Sequence, residues 1–133
     1  MDAKKLRAKD FMQTDVKTVH KGVTLLAATK MMRDFGLSSL VVEPDDDGDA
    51  FGIITRKDIV EAIVMDANGW ESLTVDDLMT KPSITTNSSL SISHCYQLMR
   101  MVGVRRLPVV DGTNLVGILS NSDIFVKLTE NIF

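Results

Sequence analysis

Phe51-Gly52-Ile53-Ile54-Thr55-Arg56-Lys57-Asp58 returns as Val116-Gly117-Ile118-Leu119-Ser120-Asn121-Ser122-Asp123, at an offset of 65. Each copy is an apolar run that closes on a hydroxyl residue, with an aspartate three places later. Working outward, Phe11-Met12 is matched by Leu78-Met79 and Gly36-Leu37 by Gly103-Val104, both at an offset of 67. A repeat of this length, with two residues lost in one connection, indicates two copies of a supersecondary unit and not a many-membered solenoid. Two such units can enclose a cleft.

The bulk properties agree with that reading. A chain of 133 residues, 44% hydrophobic and 25% charged, suits two half-domains that bury their apolar faces on each other. No stretch is long enough to span a bilayer and no apolar leader opens the chain, so a cytoplasmic location is expected and a membrane partner is not. The net charge of −3 gives no broad electrostatic reason to bind nucleic acid. Lys4, Lys5, Arg7 and Lys9 crowd the N-terminus and read as a solvated segment without assigned function. The single Cys95 aligns with Ala28 of the first copy, on the apolar face of an expected helix, and reads as core filler.

In the first copy Leu25, Ala28, Met31 or Met32, and Phe35 fall at helical spacing, and Ile92, Cys95, Leu98 or Met99, and Val102 repeat the stripe. Gly36 and Gly103 follow, where a left-handed turn ends a helix. Leu37–Val42 with Phe51–Ile54, and Val104–Val110 with Leu115–Leu119, predict hairpins across the turn-rich connections Pro44–Ala50 and Asp111–Asn114. Second helices follow, carrying Ile59, Val60, Ile63 and Val64, or Ile124, Phe125 and Leu128. Brief extended pieces, Lys17-Thr18-Val19 and Ile84-Thr85-Thr86, precede each copy. The order per copy is strand, helix, strand, strand, helix, an α+β arrangement.

With these elements in place the chain resembles a tandem pair of cystathionine β-synthase (CBS) domains, a Bateman module. The resemblance rests on the openings Met12-Gln13-Thr14-Asp15-Val16-Lys17-Thr18-Val19 and Met79-Thr80-Lys81-Pro82-Ser83-Ile84-Thr85-Thr86, on Gly103-Val104-Arg105-Arg106-Leu107-Pro108-Val109-Val110-Asp111, and on the duplicated stretch quoted first. It implies two β-α-β-β-α repeats packed with pseudo-two-fold symmetry around a central cleft. The expected division is a basic segment at 1–9, repeats at 10–66 and 75–131, and a linker at 67–74.

The resemblance further implies an adenosyl ligand, with AMP, ADP, ATP, NAD and S-adenosylmethionine as candidates and no catalytic cofactor. By position, Thr55 with Asp58 and Ser120 with Asp123 become two ribose clamps. A carboxylate accepts hydrogen bonds from both vicinal hydroxyls, a neighbouring hydroxyl adds a donor and an acceptor, and a helix N-terminus offers free backbone N–H groups. Thr18, Val19, Thr85, Thr86 and Pro108 would border the adenine. Arg105, Arg106, Arg56 and Lys57 would meet phosphates, since guanidinium groups give forked, charge-assisted hydrogen bonds. Where the second copy has Arg105, Arg106 and Pro108, the first has Ser38, Ser39 and Val41. One competent site, centred on Ser120 and Asp123, is therefore expected.

Each feature also has a plain structural reading. Thr55-x-x-Asp58 and Ser120-x-x-Asp123 fit a capping box, and Arg105-Arg106 fit ordinary strand positions. Asp45-Asp46-Asp47-Gly48-Asp49 lacks the glycine and the glutamate that a calcium loop requires. His20 and His94 have no second ligand at metal spacing. Trp70 is expected to pack across the two halves or on another subunit. No nucleophile, acid–base pair or phosphate-cradling loop argues for catalysis. The expected function is a ligand-sensing regulatory module acting through a homodimer or a protein regulated in trans. The alternative is an interaction module whose motifs serve only as helix caps.

Overall fold

The computed structural model describes residues 5–130 and 132; Lys4 of the basic segment lies outside them. Packing divides the chain into two units, one of residues 17–83 and one in which residues up to 16 join residues from 84 onward.

The unit of residues 17–83 contains β1 (Thr18–Val19), α1 (Leu25–Phe35), β2 (Ser39–Val42), β3 (Gly52–Thr55), α2 (Arg56–Met65), a 3-10 turn (Trp70–Ser72) and α3 (Val75–Leu78). Thr24 caps α1 by accepting the Ala27 N–H at 3.2 Å. Gly36 closes the helix at φ 64°, and Leu37 N–H reaches back to Met32 O at 2.8 Å, the left-handed stop expected from the sequence. β1 runs parallel to β2, which pairs antiparallel with β3. Thr80 then bridges the outer edge of β3 through two backbone bonds with Ile53. Leu25, Ala28 and Met32 of α1 meet Leu40, Val42, Ile54, Ile59 and Val75 in one buried cluster.

The other unit repeats the plan with α4 (Ile92–Val102), β4 (Arg106–Asp111), β5 (Asn114–Ser120) and α5 (Asn121–Glu130). α4 starts on Ser91, which accepts the His94 N–H, and stops on Gly103 at φ 77°. The expected extended piece at 84–86 contributes a single parallel bridge, Thr86 to Val109, which is less than a strand. A 3-10 turn at Ala8–Asp10 holds the place that α3 has in the first unit, and Gln13 bridges β5 at Ile118 as Thr80 bridges β3 at Ile53. Ile92, Cys95, Met99, Leu107, Val109, Leu119 and Ile124 form the core, with Ala8 and Phe11 built into it.

The packing units therefore cut the chain differently from the sequence repeat. Residues 74–83, which open the second sequence copy, pack with the strands of the first; residues 7–13 pack with the strands of the second. Trp70 is half-buried against the cluster of the first unit. The cause is local: the Leu73 carbonyl accepts the first N–H of α1, from Leu25, at 2.8 Å, and so draws the turn carrying Trp70 onto that helix. Among the described residues no helix is long and apolar enough to cross a membrane.

Candidate functional site

Each duplicated motif sits where a strand passes straight into a helix. In the first unit, Thr55 N–H donates to Asp58 Oδ2 at 2.8 Å, Thr55 Oγ1 donates to the same oxygen at 3.1 Å, and Asp58 N–H donates back to Thr55 Oγ1 at 3.4 Å. This is a complete capping box at α2. In the second, Ser120 Oγ donates to Asp123 Oδ2 at 2.8 Å and accepts the Asp123 N–H at 3.0 Å. Both hydroxyls and both carboxylates are half-buried. The capping reading thus describes local bonding in both copies, and the hydroxyl–carboxylate pair stays at the surface at the mouth of each helix.

The strand registers separate the two copies. Thr55 lies opposite Ser39 on β2, whereas Ser120 lies opposite Arg106 on β4. Opposite residues of an antiparallel pair share a face with Cβ atoms about 4.5–5.5 Å apart. A half-buried guanidinium-bearing residue therefore borders the second clamp, where the first has a serine. Leu107 and Leu119, one place along, are fully buried on the opposite face, which fixes this register against a slip.

The other expected contacts fall unevenly. Arg105 is exposed, and its carbonyl accepts the Asn121 N–H at 2.9 Å. Arg56 is exposed but tethered, its Nε donating to Leu37 O at 3.2 Å, and Lys57 is exposed on the first turn of α2. Along the expected adenine edge, Val19, Thr86 and Pro108 are buried. Thr86 N–H bonds Pro108 O at 3.0 Å, its carbonyl accepts Val110 N–H at 2.8 Å, and its hydroxyl lies 3.4 Å from Cys95 Sγ. Thr86 is fully engaged, and its neighbour Thr85 is exposed. Thr18 is half-buried, its hydroxyl donating to Glu43 Oε1 at 2.7 Å. Burial pushes the Cys95 thiol up, against the opposing bond from Thr86, so the thiol stays neutral and packs as core.

One contact had no sequence signal. Gln13 Nε2 donates to Asp123 Oδ1 at 3.2 Å across a separation of 110 residues. Only the packing of the N-terminal segment on β5 reveals it.

The acidic turn is a closed network. Asp49 Oδ2 accepts the Asp45 N–H at 2.8 Å and the Lys81 ammonium at 2.6 Å, while Lys21 bonds Asp45 at 2.8 Å. The backbone bond from Asp45, then the Lys81 ammonium, hold the Asp49 carboxyl down at about 2. Lysines thus pair with Asp45 and Asp49, two of the carboxylates that a cation would need.

The family model for the CBS domain matches residues 8–65 and again 75–130. The CBS domain-containing protein YhcV of Bacillus subtilis is 33% identical over 124 residues, spanning 92% of this chain and 86% of its own length. Coverage of the curated relatives is uneven, however. The chain spans 56% of the uncharacterized protein MK0525 of Methanopyrus kandleri and 22% of the homoserine O-acetyltransferase of Methanosalsum zhilinae. Among solved structures, the hexameric CBS-CP12 protein from bloom-forming cyanobacteria superposes with a TM-score of 0.88 at 34% identity, over 92% of this chain and 70% of that one. The CBS domain pair of protein MJ0100, solved with 5′-methylthioadenosine and S-adenosyl-L-methionine, gives 0.82 at 25% identity over 94% of this chain and 97% of that one. Two matches, in the order and over the span that the internal repeat marks out, make this chain a member of the CBS domain family, a tandem pair.

Proposed function

We propose that this chain is a cytoplasmic regulatory module that binds an adenosyl compound at the Ser120–Asp123 corner and passes the signal through a homodimer or a separate protein regulated in trans. The observation that carries the reading is the β4–β5 register, which sets Arg106 opposite Ser120. A hydroxyl, a carboxylate and a cation then share one surface at the N-terminus of the ten-residue α5, a combination suited to a ribose and an attached anion. The likeness to a domain pair solved with two adenosyl compounds supports the ligand class. AMP, ADP, ATP, NAD and S-adenosylmethionine remain the candidates, and Arg106 favours the phosphate-bearing ones. Thr55 with Asp58, bordered by Ser39, forms the weaker site. Thr18 and Thr85 are the adenine-edge positions whose side chains reach the surface, and Arg105, Arg56 and Lys57 are the outlying cations. No catalytic step is part of this reading.

Self-association is supported by exposed apolar residues on both α2 and α5, with Val60 and Phe125 at matching positions. Val60, Val64 and Met65 are 59%, 74% and 79% exposed, and Phe125 and Val126 are 67% and 54% exposed. Surfaces of this kind mark interaction faces.

A second reading, in which the motifs only cap helices, is favoured by the complete box at Thr55 and Asp58. A thermal-shift panel of AMP, ADP, ATP, NAD, S-adenosylmethionine and guanine nucleotides on wild type and Asp123→Ala separates the two. Ligand at about 100 times its dissociation constant stabilises by about 2.7 kcal/mol, on the order of 10 °C for a chain of this size. The expected result is a shift with an adenosyl compound that Asp123→Ala abolishes. If Asp123→Ala lowers the melting point and no compound moves the wild type, the capping reading stands alone.

A further inference from the structure

We propose that Gln13 competes with a ribose hydroxyl for Asp123 and thereby sets the affinity of the second clamp; this rests on the adenosyl-binding reading above. Both oxygens of Asp123 are occupied, Oδ2 by the Ser120 hydroxyl at 2.8 Å and Oδ1 by the Gln13 amide at 3.2 Å. A carboxylate has about four lone-pair sites; the amide takes one of those on Oδ1, the oxygen that the Ser120 hydroxyl does not use, and so competes with a sugar hydroxyl for that oxygen.

The backbone of Gln13 is fixed. Its N–H and carbonyl each bond Ile118 at 2.9 Å, and an added Cβ at Gly117 would fall 2.9 Å from the Gln13 carbonyl. The side chain, by contrast, is exposed and can swing into water without moving the strand. At 3.2 Å the amide bond lies at the long end of its range, while a hydroxyl approaches a carboxylate oxygen more closely, at about 2.5–2.7 Å. The sugar therefore wins the oxygen after displacing the amide. In the first copy the matching position is Thr80, bridged to Ile53 in the same way. Among the described residues Asp58 takes its side-chain bonds from Thr55, so the competition belongs to the second copy.

Isothermal titration of wild type, Gln13→Ala and Gln13→Met with 5′-methylthioadenosine and its 2′-deoxy and 3′-deoxy forms tests this. Gln13→Met keeps the side-chain bulk and controls for packing. Both variants are expected to bind 5′-methylthioadenosine about 2- to 12-fold more tightly than wild type, the span of one ordinary hydrogen bond. The gain should vanish for the deoxy form that lacks the hydroxyl seated on Oδ1, a dependence that a merely structural role would not produce. Equal or weaker binding by the variants, or the same gain with both deoxy forms, overturns the inference and leaves the function intact. If neither wild type nor the variants bind 5′-methylthioadenosine, this inference falls, while the proposed function is decided by the nucleotide panel above.

Discussion

At the scale of single residues, the atoms proposed for recognition already serve folding. Thr55 and Ser120 satisfy N–H groups at helix starts, and a cap of this kind contributes about 0.5–2 kcal/mol. Sequence alone showed the hydroxyl and the carboxylate at the right spacing, because three residues on a helix start bring them together. It could not show Gln13 on Asp123, since that contact follows from which segment lies beside β5. Asp49 carries the clearest pH signature. Its folded-state pKa of about 2 lies below the unfolded value near 3.9. The contribution is therefore fully present above pH about 4 and is lost as pH falls through about 2. Urea midpoints measured from pH 5 to pH 2 should fall steeply for wild type and less steeply for Asp49→Asn. The slope should not vanish, because Asp45 and Asp111 are also held below the usual carboxylate range by hydrogen bonds from Lys21 and Ser88.

At the scale of elements, the long helices and hairpins were legible because their periods are long enough to count. α1 and α4 bury most of the expected stripes, Leu25, Ala28 and Met32 in one and Ile92, Cys95 and Met99 in the other, whereas Phe35 and Val102 at their last positions are exposed. α3 and the turn at Ala8–Asp10 were not legible: four residues and three residues are too few to show a helical period. These short pieces nonetheless sit against strands with little clearance. At Gly117 an added Cβ would lie 2.7 Å from Met12 Sδ and 2.9 Å from the Gln13 carbonyl, whereas at Gly52 the nearest atoms are 3.1–3.3 Å away. Gly117→Ala is expected to cost about 1–3 kcal/mol and to loosen the Gln13 bridge, with Gly52→Ala milder. Hydrogen exchange at the Gln13 and Ile118 amides checks this, because both protons should exchange faster in Gly117→Ala. Protection equal to wild type would mean that the segment accommodates the methyl by a shift elsewhere.

At the scale of the whole molecule, the internal repeat was enough to read the fold class and the family but not the packing partners of the opening segments. The reason is physical. An internal repeat reports which residues are alike, and the segments at 7–13 and 74–83 are alike, yet each bonds the strands of the other copy. The proposed homodimer belongs to this scale as well. Val60 and Phe125 are equivalent exposed positions on α2 and α5, and replacing both with aspartate places charge on a surface that association would dehydrate. Light scattering after size exclusion should then give the monomer mass for Val60→Asp/Phe125→Asp and twice that mass, or a multiple of it, for wild type. A wild type that runs as a monomer at micromolar concentration would remove self-association from the mechanism.

The division into a continuous unit, residues 17–83, and one assembled from the two flanking stretches has a mechanical consequence. Tension applied through handles at residues 5 and 130 enters and leaves through the same discontinuous unit. The continuous unit is an insertion between the two stretches of that unit and is reached by load only through them. Rupture must therefore begin in the unit that holds Ser120 and Asp123, and the intervening loop feels the pull only after its neighbour has given way.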